Sequence, residues 1–266
     1  MKLTLGCTTR PYAKLDFAEA CKRIAAAGYT DVAVFSAPGL EPDSDPKEAR
    51  MVRRVADDAG LVPSMLLAQA RLGEAADLDK AESDYRRLID RATVLGASWL
   101  LDLGTGQEEH LEPYVALMKR VAPYAQQAGI QITVKPHGGI TRTTDDLIAV
   151  YERVDHPAFS LCYDPGNIIY YTQGDERPET AIDRVAPMVR TGIIKDCVVR
   201  DGKPDVMITP GEGWVDFGAV LGGLVRGGFC GPLYVECVGG STVEEIDRNL
   251  RKTRDYIQTI LDRLPS

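Results

Sequence analysis

The sequence predicts a closed eight-stranded (β/α)8 TIM barrel, built as one domain over residues 1–266, and three observations carry that reading. Short apolar, β-branched runs alternate with longer helical patterns along the whole chain. Eight such runs can be counted, the number at which a parallel sheet of this kind closes. A length of 266 residues, 44% hydrophobic and 26% charged, suits a single barrel of this kind.

The strands are expected at residues 3–8, 31–35, 62–67, 99–103, 131–135, 159–163, 191–195 and 233–237. Between them, apolar residues recur at helical spacing, as in Phe17, Cys21, Ile24 and Ala25. Helix after helix stops at a glycine, Gly28, Gly60, Gly96 and Gly129, just before the next strand. Thr242 followed by Glu245 forms a capping box for a last helix that runs to about Leu264. A doubly wound open sheet would use the same alternation. Its usual glycine-rich phosphate turn is missing after the first strand, which reads Cys7-Thr8-Thr9-Arg10-Pro11-Tyr12.

A net charge of -8 and a pI near 5.0 leave no basic footprint for nucleic acid. The opening residues turn polar at Thr8, Thr9 and Arg10 and read as a strand, not a signal peptide, and no apolar run is long enough to span a bilayer. A soluble, cytoplasmic protein with no membrane partner is expected. The six cysteines show neither a CxxC pair nor disulfide or zinc spacing, and Cys7, Cys162, Cys197 and Cys237 sit in or beside strands, where a reduced packing role is expected.

Chemistry in a barrel gathers where the strands end. Strands one to four end in Thr8 and Thr9, Ser36, Gln69, and Asp102 with Gly104-Thr105-Gly106. The second half is richer: Lys135-Pro136-His137, Asp164-Pro165-Gly166-Asn167, Lys195-Asp196 and Glu236. Each has a plainer reading: Lys195 and Asp196 as an ion pair across the mouth, Asp164 as a turn-forming residue. Glu236 interrupts the buried run Leu-Tyr-Val-Glu-Cys-Val and so needs a partner or a task. His110 and His156 read as solvated loop residues.

Asp-Pro-Gly-Asn, Lys-Asp, the segment Gly211-Glu212-Gly213-Trp214-Val215-Asp216-Phe217 and the strand ending in Glu236 together resemble the sugar phosphate isomerase/epimerase family of xylose isomerase-like TIM barrels. The resemblance implies a divalent metal (Mn, Mg or Zn) held by acids on strands five and six, a His on strand seven and a Glu on strand eight. Asp164 and Glu236 match that set. Lys135 stands in place of the strand-five acid, Ile193 in place of the His, and Asn167 where many relatives carry His.

Three carboxylates with one divalent cation sum to minus one, and Lys135 with Asp164 and Glu236 gives the same sum. The Lys135 ammonium is therefore expected to replace the metal and polarise a carbonyl, with Glu236 as general base and His137 as proton partner. A metal held by Asp164, Glu236 and His137 is the rival expectation. A Schiff base at Lys135 or Lys195 is a third. Asp164, Asn167 and Lys195 are expected to contact the substrate, Tyr170, Tyr171 and Trp214 would wall a sugar ring or simply cover the barrel, and Arg10 and Arg142 would hold an anionic group; Gly239-Gly240-Ser241 is a place where a phosphate could sit, though an unphosphorylated sugar is equally open.

The expected function is proton abstraction beside a carbonyl of a small sugar or keto-sugar, leading to isomerisation, epimerisation or β-elimination. The alternative is a non-catalytic sugar-binding barrel that has lost its metal. The partner is a small carbohydrate, and barrels of this group often pair as homo-oligomers.

Overall fold

The computed structural model describes residues 3–72 and 77–264. Eight parallel strands close in the order β1 (Leu5–Thr8), β2 (Asp31–Val34), β3 (Val62–Leu67), β4 (Trp99–Asp102), β5 (Gln131–Val134), β6 (Phe159–Tyr163), β7 (Val189–Ile194) and then β10 (Leu233–Val235), which pairs back with β1. A separate antiparallel hairpin, β8 (Val198–Arg200) and β9 (Lys203–Asp205), follows β7. The helices are α1 (Phe17–Ala26), α2 (Pro46–Asp58), α3 (Leu78–Leu95), α4 (Leu111–Gln127), α5 (Thr144–Val154), α6 (Pro165–Tyr171), α7 (Ile182–Val185), α8 (Phe217–Arg226) and α9 (Val243–Leu261).

The local signals act as their chemistry requires. The stop glycines Gly28, Gly60, Gly96 and Gly129 have φ of 90°, 77°, 78° and 72°, the left-handed region that halts a helix. Thr242 and Glu245 cap α9 reciprocally. The hairpin was not expected, and the segment between β6 and β7 carries only the short α6, 3-10 turns and α7 where other units carry one long helix. Strand one begins at Leu5, strand seven runs Val189–Ile194, strand eight stops at Val235 and α9 stops at Leu261. Lys135 and Glu236 fall just beyond their strands, although their backbone N–H groups still bond the neighbouring strand's end at Asp102 O and Ile194 O, 3.1 and 3.2 Å.

Strand alternation sorts the interior into layers. Ala33, Met65, Leu101, Cys162, Ile193 and Tyr234, one from each of six strands, form a buried cluster inside the barrel. Thr133 and Thr191 add an Oγ–Oγ hydrogen bond of 3.1 Å. Ile193 is thus packing material, 1% exposed. Two residues further along each strand direction come Phe35, Leu67, Leu103, Lys135, Asp164, Lys195 and Glu236, and Arg10 stands in the same relation to Thr8. That layer is the floor and wall of the mouth. No cysteine is paired, and Cys7, Cys162, Cys197 and Cys237 are all buried as expected. No helix among the described residues is long and apolar enough to cross a membrane.

Candidate active site

At the floor of the mouth two ammonium groups and two carboxylates form a closed square. Lys135 Nζ donates to Asp164 Oδ2 at 3.2 Å and Glu236 Oε2 at 2.5 Å; Lys195 Nζ donates to Asp164 Oδ2 at 3.1 Å and Glu236 Oε1 at 2.5 Å. All four side chains are buried. Lys195 makes a third bond, 3.1 Å to Asn167 Oδ1, and the Asn167 amide donates to the Pro136 carbonyl at 2.7 Å. Asp164 also accepts from the Asn167 backbone N–H, capping α6, so the turn-forming and site readings hold together. Gly166 lets this turn pass: a Cβ there would lie 2.6 Å from the Lys195 carbonyl oxygen and 2.8 Å from its Cγ.

The charges fix the protonation states. Burial alone would raise the Glu236 carboxyl, but Lys135 and Lys195 outweigh it and bring the group down to about 2. Lys195 is likewise desolvated, yet Asp164 and Glu236 raise it above the ordinary lysine range, so it is protonated near neutrality. His137 goes the other way: burial, then the Lys135 and Lys195 charges, lower it to about 4. Its ring is neutral at pH 7 and rests on Tyr171, centroids 5.3 Å apart.

Above the square opens a cavity of about 270 Å³ lined by Arg10, Phe35, Leu67, Leu103, Lys135, His137, Asn167, Tyr170, Tyr171, Lys195, Val206, Glu236 and Cys237. The Phe35 ring lies 5.6 Å from Lys135 Nζ, in cation–π range. Tyr170 and Tyr171 meet edge to face on the cavity wall. Trp214 does not join them; it is 39% exposed, lies against Gly174 and accepts a bond from Arg177 on its backbone carbonyl. Arg142 is exposed and outside the lining.

Three further expectations are corrected. Lys195 does not pair with Asp196, which is buried and accepts from the backbone N–H groups of Cys197, Gly211, Gly213 and Val215, holding the loop before α8. In Gly239-Gly240-Ser241 the Ser241 N–H, like that of Thr242 after it, is already committed to Glu245, so the segment lacks two of the donors a phosphate cradle was expected to use. His110 is buried, not solvated. Sequence reasoning also missed Phe35, Leu67 and Leu103, although the alternation along their strands places them beside Lys135.

The donor set does not suit a metal. Between Asp164 and Glu236 lie two ammonium groups, which repel a cation, and Ile193 offers no donor. Among the described residues no three His, Cys, Asp or Glu side chains are grouped to hold one, so His137 does not complete the rival ligand set.

A family model described as xylose isomerase-like TIM barrel matches residues 21–260. A 3-oxo-isoapionate decarboxylase of Pectobacterium atrosepticum is 32% identical over 111 residues, a stretch that covers 41% of this chain and only 35% of that protein. Among solved structures, D-psicose 3-epimerase of Clostridium cellulolyticum H10 with D-tagatose superposes at a TM-score of 0.79, with 14% identity, over 97% of this chain and 99% of that one. A xylose isomerase-like TIM barrel protein of Mycobacterium smegmatis in complex with magnesium gives 0.77, with 18% identity, over 98% and 96%. The model match runs through seven of the eight barrel strands, and the chain belongs to the xylose isomerase-like TIM barrel family.

Proposed function

We propose that this protein is an enzyme that forms and quenches an enediolate on a small keto-sugar, by isomerisation, epimerisation or β-elimination, with lysine ammonium groups in the role of a metal. The observation that carries the reading is the buried square of Lys135, Lys195, Asp164 and Glu236 under a cavity of sugar size.

The two lysines have different tasks. An ammonium has three N–H donors. Lys195 uses all three, on Asp164, Asn167 and Glu236, and acts as an anchor. Lys135 uses two on protein partners, which leaves one for a substrate oxygen. A carbonyl bound there would be polarised by a fixed charge, and the enediolate oxygen would be stabilised as it forms. As Lys135 turns toward that oxygen, Glu236 loses part of the pairing that holds it near 2 and becomes a stronger base. The proton beside the carbonyl then passes to Glu236. Glu236, now protonated, returns that proton at the second carbon, while His137, neutral and on the same cavity wall, can hydrogen-bond a substrate hydroxyl. A Schiff base is disfavoured at Lys195, whose amine holds its proton and all three of its bonds.

Solvent-deuterium exchange into a panel of ketoses, followed by NMR in the presence of a chelator, tests this. Exchange should persist with chelator, and Glu236→Gln should lower it by about 100-fold or more. Circular dichroism must accompany the variant, since it leaves two buried ammonium groups facing one carboxylate. Retained exchange in a folded variant removes Glu236 from the mechanism, and no exchange by the native protein favours a sugar-binding barrel. The similarity to a decarboxylase supports a second reading, in which the same enolate arises by loss of CO2 from a 3-oxo acid. Release of CO2 without prior exchange would select it.

A further inference from the structure

We infer that the cavity takes a monoanionic substrate, a keto-sugar acid, whose carboxylate is held by Arg10; this rests on the keto-sugar reading above. The square is electrically closed: two ammonium groups against two carboxylates give zero. His137 adds nothing, being neutral at pH 7. Arg10 is the remaining charge among the lining residues, and its guanidinium bonds no carboxylate among the described residues. Among the described residues, the cavity therefore carries one positive charge that no carboxylate matches.

Arg10 is exposed at the rim of the mouth, and its backbone is fixed there. Its backbone N–H bonds Thr8 Oγ1 at 3.2 Å, and it opens a 3-10 turn whose second and third residues are Pro11 and the buried Tyr12. Thr9 ties the turn to strand two, its N–H on the Ala33 carbonyl at 3.0 Å and its Oγ1 accepting from Phe35 N–H at 3.1 Å. Strand β1 pairs with β10, so Arg10 rises beside the strand that delivers Glu236. A substrate with its carbonyl on Lys135 thus presents one end to Arg10. The planar fork of a guanidinium matches a carboxylate in two parallel hydrogen bonds. A phosphate dianion would call for a second positive charge, and Arg10 is the one unmatched cation among the described lining residues.

Titration calorimetry at low salt, with D-gluconate, 2-keto-D-gluconate, 5-keto-D-gluconate, D-fructose and D-fructose 6-phosphate as probes, decides the matter. At least one sugar acid should bind about tenfold or more tightly than D-fructose, a preference that fades with added salt and is largely lost in Arg10→Met, with partial recovery in Arg10→Lys. Equal or tighter binding of D-fructose, tighter binding of the phosphate ester, failure of all three acids to bind, or an acid preference that survives Arg10→Met overturns the inference. The two proposals fail separately. Proton exchange on neutral ketoses alone keeps the enzyme and removes the acid, whereas Arg10-dependent acid binding without any exchange keeps the acid site and removes the catalysis.

Discussion

The mouth of the barrel has two unlike halves. Strands β2, β3 and β4 present Phe35, Leu67 and Leu103, while β5, β6, β7 and β10 lead into Lys135, Asp164, Lys195 and Glu236. Each half also owns a buried carboxyl group, and the two are shifted in opposite directions. Asp102, at the end of β4, is raised to about 6 by burial, even though Ala70 N–H, Gly104 N–H and the Tyr114 hydroxyl donate to it. Glu236, buried at the cavity floor, is lowered to about 2. Neutral donors only soften the cost of burying a carboxylate; a full positive charge in contact reverses it.

The comparison can be broken most severely at Lys195. Lys195→Met would leave Asp164 and Glu236 facing one ammonium, at a cost of about 3–5 kcal/mol in unfolding free energy, because an uncompensated buried charge remains. Urea unfolding checks this, and a loss below about 1 kcal/mol would mean that water replaces the lysine. Lys135→Met should cost less, since that lysine has two partners where Lys195 has three.

Acid separates the halves by sign. Glu236 has a folded value near 2 against an ordinary 4.5, so its contribution is fully present above about 4.5 and is lost as pH falls toward 2. Asp102 has a folded value near 6 against 3.8, so its burial is unfavourable above about 6, and stability is regained as pH falls from 6 toward 3.8. His137, lowered from 6.5 to about 4, loses stability over nearly that same interval and masks the gain. In His137→Gln, stability should therefore rise on going from neutral pH to about pH 5, and Asp102→Asn in that background should flatten the rise. A flat profile in His137→Gln alone would show that Asp102 is not raised. The smallest effect is at Phe35, where replacement by Leu should cost about 1 kcal/mol through the lost cation–π contact.

Much of this was readable before any coordinates. The barrel followed from the count and alternation of strands, because period and closure number are properties of the chain itself. Lys135, Asp164, Lys195 and Glu236 stood out because charge at the end of an apolar run needs a reason. Their pairing was less accessible: the expected triad omitted Lys195, which was read as a substrate-binding residue or as the ion-pair partner of its neighbour Asp196. Adjacent residues on a strand point to opposite faces, so Lys195 turns inward to the square while Asp196 turns toward the loop before α8. Phe35, Leu67 and Leu103 were passed over because they are apolar, though the same two-residue step identifies them. The short hairpin β8–β9 gave no signal distinct from an ordinary loop.

Gly166 ties two distant parts of the chain into one rigid corner. A Cβ there would lie 2.6 Å from the carbonyl oxygen of residue 195, an atom present whatever side chain follows the seventh strand. The turn after β6 and the end of β7 therefore pass each other backbone to backbone, and a larger residue at 166 would have to push the end of β7, with the Lys195 ammonium it carries, out of the square.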